Sequence, residues 1–456
     1  MRTVRDAMGE MEVPDDALWG ASTARARLNF PISGETFSRR FARALGLLKA
    51  AAAATNAELG VLDAVRARAI ETAARELAEG AHDAQLVVDV FQTGSGTSTN
   101  MNANEVIARR AEQLLGSGGP TVHPNDHVNA SQSSNDVMPS ALHVAAREAV
   151  ERDLLPALRR VEETLRAKAE AFDAIVKIGR THLMDATPIR VGQEIGGWAR
   201  QVELARERVQ LAAEGLAELA LGGTAVGTGI NCPAGFAAAA IARVSEATGL
   251  RFVEAADHFE AQGARDAAVA VSAACRGVAV ALHKIANDVR LLASGPRAGL
   301  GELLLPAVQP GSSIMPGKVN PVLCESVIQV AVQVVGNDAA VALAGMTGQL
   351  ELNAMIPVIA RNLLESVRLL ANVSHAFVDR CLAGLEVDRA RTAAWIEQSA
   401  ALATPLATRI GYDRAAELAK RAMATGRSVR EIAREEGVLP DDELDRLLDP
   451  GSMTGR

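Results

Sequence analysis

Gly311-Ser312-Ser313-Ile314-Met315-Pro316-Gly317-Lys318-Val319-Asn320-Pro321 interrupts two long apolar segments, and the rest of the chain reads as its support. Glycine opens unusual backbone angles and proline blocks helix continuation, so this punctuation predicts a loop. A loop carrying two serines, a lysine and an asparagine between apolar segments points to function rather than packing. Apolar residues resume at Val322, so the loop feeds a helix whose first turn can hold an anion.

Outward from the loop, the apolar spacing is helical. Ser140 to Phe172, Val191 to Leu219, Glu260 to Leu292, Pro321 to Leu343 and Ile356 to Leu385 form five long segments of this kind. Pro156 lies inside the first and predicts a kink there. The third is apolar on nearly all sides, as expected inside a bundle, and at 1.5 Å per residue would run about 45–50 Å. The reading is all-α, a rod-like bundle of five long helices whose leftover apolar surface packs against other copies. Three regions follow: 1–135, the bundle over 136–388, and short helices over 389–456 around Gly411, Gly426 and Gly437. In the first region Arg40 to Ala57 and Ala64 to Gly80 read as amphipathic helices, Val4 to Asn29 as an extended lead-in, and Gln92 to Asn102 and Gly116 to Asn135 as polar loops.

Composition agrees. At 456 residues, 48% hydrophobic but only 3% aromatic, the core must be aliphatic and alanine-rich, which suits close-packed helices. A net charge of −8 argues against a general nucleic-acid binder, so an anionic substrate needs local positive potential. Only six lysines occur, and one of them is Lys318, inside the loop. Cys232, Cys275, Cys324 and Cys381 are dispersed without ligand-like spacing and are expected as reduced thiols. The N-terminus lacks a signal-peptide core and no charge-free apolar run spans a bilayer, which together predict a cytoplasmic protein with no membrane partner.

Four further polar clusters stand out. Thr93-Gly94-Ser95-Gly96-Thr97 precedes Asn100, Asn102 and Asn104. Asn129 to Asp136 holds Ser131, Gln132, Ser133, Ser134 and Asn135 just before the first long helix, where Asn135 or Asp136 could cap it. Gly179 to Pro188 contains Arg180, Thr181 and His182 between the first and second long helices. Gly222 to Asn231 is glycine-dense like a phosphate cradle, but no Walker lysine follows, so a tight turn is expected.

Residue for residue, the opening stretch resembles the signature loop of the fumarase/aspartase superfamily, in the form carried by class II fumarases. Aspartate ammonia-lyases tend to have alanine where this chain has Gly317. The other clusters resemble the corresponding fumarase segments in the same order, and the similarity runs from Met8 to Tyr412. The resemblance implies a fumarate hydratase of the tricarboxylic acid cycle, a homotetramer whose active sites each draw on three subunits. Its substrates would be the small dicarboxylates fumarate and L-malate, with no metal or organic cofactor.

By the same resemblance, Ser312 is the base at C3, as an alkoxide stabilised by Lys318 and glycine amides. His182, with Glu325, handles the hydroxyl or water. Ser95, Gly96, Thr97, Ser133, Ser134, Asn135, Thr181, Ser313, Lys318, Val319 and Asn320 would bind substrate, Lys318 and Asn320 as donors to the dianionic intermediate. His123, Pro124, Asn125 and Asp126 match a second anion site, and His127 beside them sets its charge. Histidine at 182 and the His-Pro-Asn-Asp run favour fumarase over aspartate ammonia-lyase, whose members typically carry glutamine at the first position. Argininosuccinate- and adenylosuccinate-type lyases fit the flanking motifs less well. A non-catalytic scaffold would have lost Ser312, Lys318, Asn320, His182 or Glu325, and all are present.

Overall fold

A computed structural model describes residues 1–455. Among these, seventeen α-helices account for most of the chain, with only four two-stranded sheets, so the fold is all-α. The long segments appear as Ser134–Ala149 with Leu155–Ala171, Val191–Glu214, Asp266–Leu292, Val322–Gly345 and Ile356–Phe377. The irregularity expected at Pro156 takes the form of a π-helical turn over Val150–Leu154, immediately before it. Proline has no N–H to return to the preceding turn and its ring crowds it, so the ladder widens there.

The third long segment is shorter than expected. His258–Gly263 is a separate helix, and Ala264 is extended before Asp266–Leu292 begins. The buried Arg265 guanidinium donates to the carbonyls of Ala261, Gln262 and Ala264, closing the short helix from its C-terminal end. Twenty-seven residues remain, about 40 Å of helix.

The lead-in is a β-hairpin pairing Arg2–Asp6 antiparallel with Gly9–Val13, followed by an unforeseen helix, Ala21–Asn29. That helix has no side-chain cap of its own. Glu105, distant in sequence, accepts from the N–H groups of Gly20, Ser22 and Thr23 and from the Thr23 hydroxyl. Within Gln92 to Asn102, expected as loop, a helix already starts at Thr97 and runs to Leu115.

The chain folds into two compact units, each discontinuous in sequence. One gathers Met1–Pro156, Arg206–Ala279 and Ala331–Ala371; the other gathers Ala157–Ala205, Val280–Val330 and 372–455. In the first, the buried helix Arg39–Glu58 packs on Ala64–Glu79, Ser134–Ala149 and Phe236–Thr248. Gly46 lets the Ala64–Glu79 helix approach so closely that a Cβ there would stand 2.7 Å from the Ala78 nitrogen. Small residues thus replace aromatics as the means of tight packing. In the second unit, Leu402, Leu406, Leu418, Ile432, Leu444 and Leu448 build a satellite core against which Val176 packs.

Two helices, Asp266–Leu292 and Val322–Gly345, are long and apolar enough to cross a bilayer by length and composition. They also carry polar groups: Asp338 accepts from Ser272 at 2.7 Å and pairs with Arg276 at 2.8 Å. Val332 and Leu343, each 64% exposed, leave apolar surface uncovered in the single chain. Three cysteines are buried and Cys232 only half so; burial pushes the Cys275 thiol up to about 12, away from thiolate chemistry.

Candidate active site

The Gly311–Pro321 loop is a closed ring. The Gly311 N–H donates to the Lys318 carbonyl at 2.7 Å, and the Asn320 amide donates to the Gly311 carbonyl at 2.6 Å. Gly311 is required at this neck, because a Cβ would meet the Lys318 oxygen at 2.6 Å. Inside the ring, Ser312 Oγ accepts the Ile314 N–H at 3.2 Å and the Met315 N–H at 2.9 Å. The amides that reach this oxygen are therefore those of Ile314 and Met315, not of the glycines. Two amides aimed at one oxygen favour its deprotonated form. Gly317 turns the loop at φ 80°, and Ser313, Lys318 and Val319 face solvent. The following helix places exposed Glu325 in its first turn.

His182 sits at the tip of a hairpin. Val176–Thr181 pairs antiparallel with Met184–Arg190, and Thr181 opposite Met184 leaves His182 and Leu183 as a two-residue turn. Both have left-handed φ, 55° and 62°. Hairpins normally put glycine or asparagine there, so a histidine–leucine pair is a strained choice of the kind found at functional sites. The imidazole is exposed, and no hydrogen bond joins it to Glu325 within the described chain. The base of the hairpin is locked by buried charges. Lys177 pairs with Glu194 at 2.7 Å and with Glu302 at 2.9 Å, and Glu302 also pairs with Arg180 at 2.7 Å.

The remaining candidates lie in the other unit, where Thr97, Asn125, Ser133, Ser134 and Asn135 line a cavity of about 450 Å³. Asn100, Asn129 and Gln132 also contribute to its wall. Ser95 Oγ and Thr97 Oγ1 are 2.7 Å apart at the start of the Thr97–Leu115 helix. Gly96 is left-handed at φ 76°, which strains any other residue, and a Cβ there would displace Met138 Cε, 2.5 Å away. Ser133, rather than Asn135 or Asp136, caps the Ser134–Ala149 helix, and Asp136 closes a capping box with it. Asn100 donates to Ser134 Oγ at 3.0 Å, leaving that hydroxyl's own proton free for a carboxylate. Asn135 donates to the Ala225 carbonyl at 2.8 Å, so one of its two N–H bonds is already used.

The glycine-dense stretch is a turn and not an anion cradle. Its Gly222 and Thr224 amides donate to Asp136 at 3.1 and 2.9 Å. Burial pushes the Asp136 carboxyl above its ordinary value, against the pull of these amides.

Pro124–Val128 forms one π-helical turn capped by His123, whose Nδ1 accepts the Asp126 N–H at 3.1 Å. His127 Nδ1 accepts the His123 N–H at 2.8 Å, so the imidazole is neutral and its proton lies on Nε2. Burial, then Arg66, lowers its pKa, which keeps it uncharged.

The structure thus gathers Ser95, Gly96, Thr97, Ser133, Ser134, Asn135 and His123–Asp126 in one unit, and Thr181, His182, Ser312, Ser313, Lys318, Val319, Asn320 and Glu325 in the other. Asn129 and Gln132 belong to the polar cluster read from sequence but had no role assigned there, and the buried Lys49 behind them was not singled out. Lys49 had a signal, a charge inside the apolar run Leu45 to Ala53.

The family profile described as "Lyase" matches residues 9–336, and "Fumarase C C-terminus" matches residues 402–455. The class II fumarate hydratase of Halobacterium salinarum is 56% identical over 457 residues, covering 100% of this chain and 97% of the relative. That of Corynebacterium efficiens is 54% identical over 458 residues, covering 99% and 96%. A crystal structure of class II fumarase from Schistosoma mansoni superposes with a TM-score of 0.96 at 38% identity, covering 99% of this chain and 98% of that one.

Proposed function

The chain belongs to the class II fumarate hydratase family of lyases, and from that premise we propose that it interconverts L-malate and fumarate with Ser312 as the C3 base. Removing the C3 proton of malate creates a dianionic aci-carboxylate, and hydroxide then leaves from C2. The observation that carries the base assignment is the pair of N–H groups directed at Ser312 Oγ. They supply what an unaided serine lacks, a setting in which its alkoxide is held by fixed dipoles. Lys318 adds positive charge from the same loop, and Asn320, with one N–H on the loop neck, has a second to offer.

His182 gives the leaving hydroxyl its proton, or takes one from water in the reverse direction, and Glu325 orients the imidazole or its water. Imidazole suits both directions because its ordinary pKa lies near neutrality. Ser95, Gly96, Thr97, Ser133, Ser134, Asn135, Thr181, Ser313 and Val319 hold the substrate carboxylates, and His123–Asp126 forms a second anion site near the entrance. The assembly is a homotetramer, its long helices joined through apolar residues such as Val332 and Leu343, with each site completed by several copies. The reaction as drawn calls on no metal or organic cofactor, only on a base, an acid and donors to the dianion. The setting is the cytoplasm and the pathway the tricarboxylic acid cycle, with no nucleic-acid or membrane partner.

The test is fumarate absorbance on mixing the protein with L-malate or L-aspartate, each with chelator and without added metal. Fumarate from malate alone is the expected result. Fumarate from aspartate alone would overturn the hydratase reading, and no reaction from an intact tetramer would point to a scaffold.

A further inference from the structure

Lys49 is fully buried, in the middle of the Arg39–Glu58 helix. Its Nζ donates to Asn129 Oδ1 and to Gln132 Oε1, each at 3.0 Å. Both acceptors belong to side chains that line the 450 Å³ cavity. Asn129 Oδ1 also accepts from Asn100 at 3.1 Å and Asn104 at 3.2 Å, and Asn100 continues to Ser134 Oγ. The ammonium and Asn100 therefore converge on one Asn129 oxygen, and Asn100 links it to a hydroxyl of the cavity wall.

This cation lacks a counter-ion. Around Nζ the partners are neutral amides, and the charge acting on it is Asp136, at the start of the Ser134–Ala149 helix. Asp136 is itself buried and occupied by the N–H groups of Ser133, Gly222 and Thr224. The packed helices Ala64–Glu79 and Phe236–Thr248 bring no charge that acts on Nζ. Burying a cation without a carboxylate is costly, and a methionine would fill the same space without that penalty. A charge kept under such conditions is explained when an anion arrives to meet it.

We propose that Lys49 is a positioning residue for the dicarboxylate: from behind Asn129 and Gln132 it supplies the buried positive charge that a carboxylate in the cavity compensates. The inference rests on the fumarate hydratase reading and adds to it a residue outside the loop and hairpin. Lys49 does not touch substrate. It holds the Asn129 and Gln132 amides in place, and Asn100, which shares the Asn129 oxygen, donates to Ser134 Oγ and leaves that hydroxyl free to donate.

Proton linkage follows from the same geometry. Burial lowers the Lys49 pKa to about 7 in the empty cavity, and a nearby carboxylate raises it. Above neutrality the empty protein is deprotonated at Lys49 and takes up a proton when the anion binds. Affinity therefore falls as pH rises above about 7.

The experiment is calorimetric titration of the intact protein with succinate, a dicarboxylate with no leaving group, at pH 7.5 in two buffers of different ionisation enthalpy. Wild type is expected to take up protons on binding. Lys49→Met should lose that uptake and bind about tenfold or more weakly, with the KM for malate raised more than kcat is lowered. Lys49→Arg, permanently charged, should retain binding and also lose the uptake; it carries the test if the methionine variant does not fold. Unchanged proton uptake in either variant would overturn the proposal, because a merely structural lysine, or titration of His182 or His123, would leave it intact. Wild-type turnover of malate is measured alongside. With turnover present and uptake unaltered, only the Lys49 proposal fails; with neither turnover nor succinate binding, the hydratase reading fails with it.

Discussion

Ser312 Oγ accepts the Met315 N–H at 2.9 Å, so the loop folds back to place a backbone dipole on its own serine. Together with Ile314, it leaves the oxygen ready to carry negative charge. Ser312→Ala removes the proposed base but not the ring, whose neck is held by Gly311, Lys318 and Asn320. Turnover should fall by about 10²–10⁴-fold, the range for a positioned proton-transfer group, with the thermal midpoint unchanged. Steady-state kinetics with L-malate beside a melting curve checks both. Retention of most activity would remove Ser312 from the role of base.

His182 offers a cleaner separation of fold from chemistry. Its left-handed φ is tolerated by asparagine better than by most residues, so His182→Asn keeps the hairpin turn. The loss, again about 10²–10⁴-fold in kcat, then reports the imidazole itself. An unaltered kcat would assign the hydroxyl's proton to another group.

Much of this was legible because it is local. The Gly311–Pro321 loop, the helical apolar spacing and the cap-rich run before Ser134 depend on neighbours in sequence, and each appears near its expected place. What was not legible depends on distant partners. The Ala21–Asn29 helix is capped by Glu105, and the break at Ala264 depends on where the Arg265 side chain folds. The histidine tip had no strand-like signature beyond Val176-Lys177-Ile178; its hairpin is held by Glu302, over a hundred residues away. Lys49 was visible as a charge in an apolar helix, but its meaning came only with Asn129 and Gln132 facing it.

Glu76 gives the fold a defined acid sensitivity. It accepts from Arg110 through both oxygens, at 2.6 and 2.9 Å, and lies 2.9 Å from His82 Nε2. The hydrogen bonds from Arg110 lead in lowering its carboxyl from 4.5 to about 2. A depressed folded pKa contributes stability above the unfolded value that is lost as pH falls from about 4.5 towards 2. Glu76→Gln should thus cost ~2 kcal/mol at pH 7, after allowance for partial exposure, and less at pH 3. Denaturant midpoints for both proteins at the two pH values check the sign. A deficit that grew on acidification would refute it.

Subunit mixing tests whether the sites are shared between copies. Ser312 and Asn135 lie in different compact units of one chain, on a loop and at a helix start respectively. If each site is completed by several copies, a Ser312→Ala chain and an Asn135→Ala chain damage different contributions to it. Hybrid tetramers then contain some sites whose Ser312 and Asn135 are both intact, supplied by different parents. Each variant alone should be nearly inactive, and denaturing and refolding them together should restore part of the wild-type rate. Mixing without subunit exchange should restore nothing, which serves as the control. If every site were built from a single chain, no hybrid could hold both residues, and the co-refolded sample would stay as inactive as its parents. Val332→Glu provides the complementary arm: a charge on the uncovered apolar helix face should shift sedimentation to smaller species and abolish turnover with helicity retained. Full activity in a dissociated Val332→Glu protein would refute shared sites by itself.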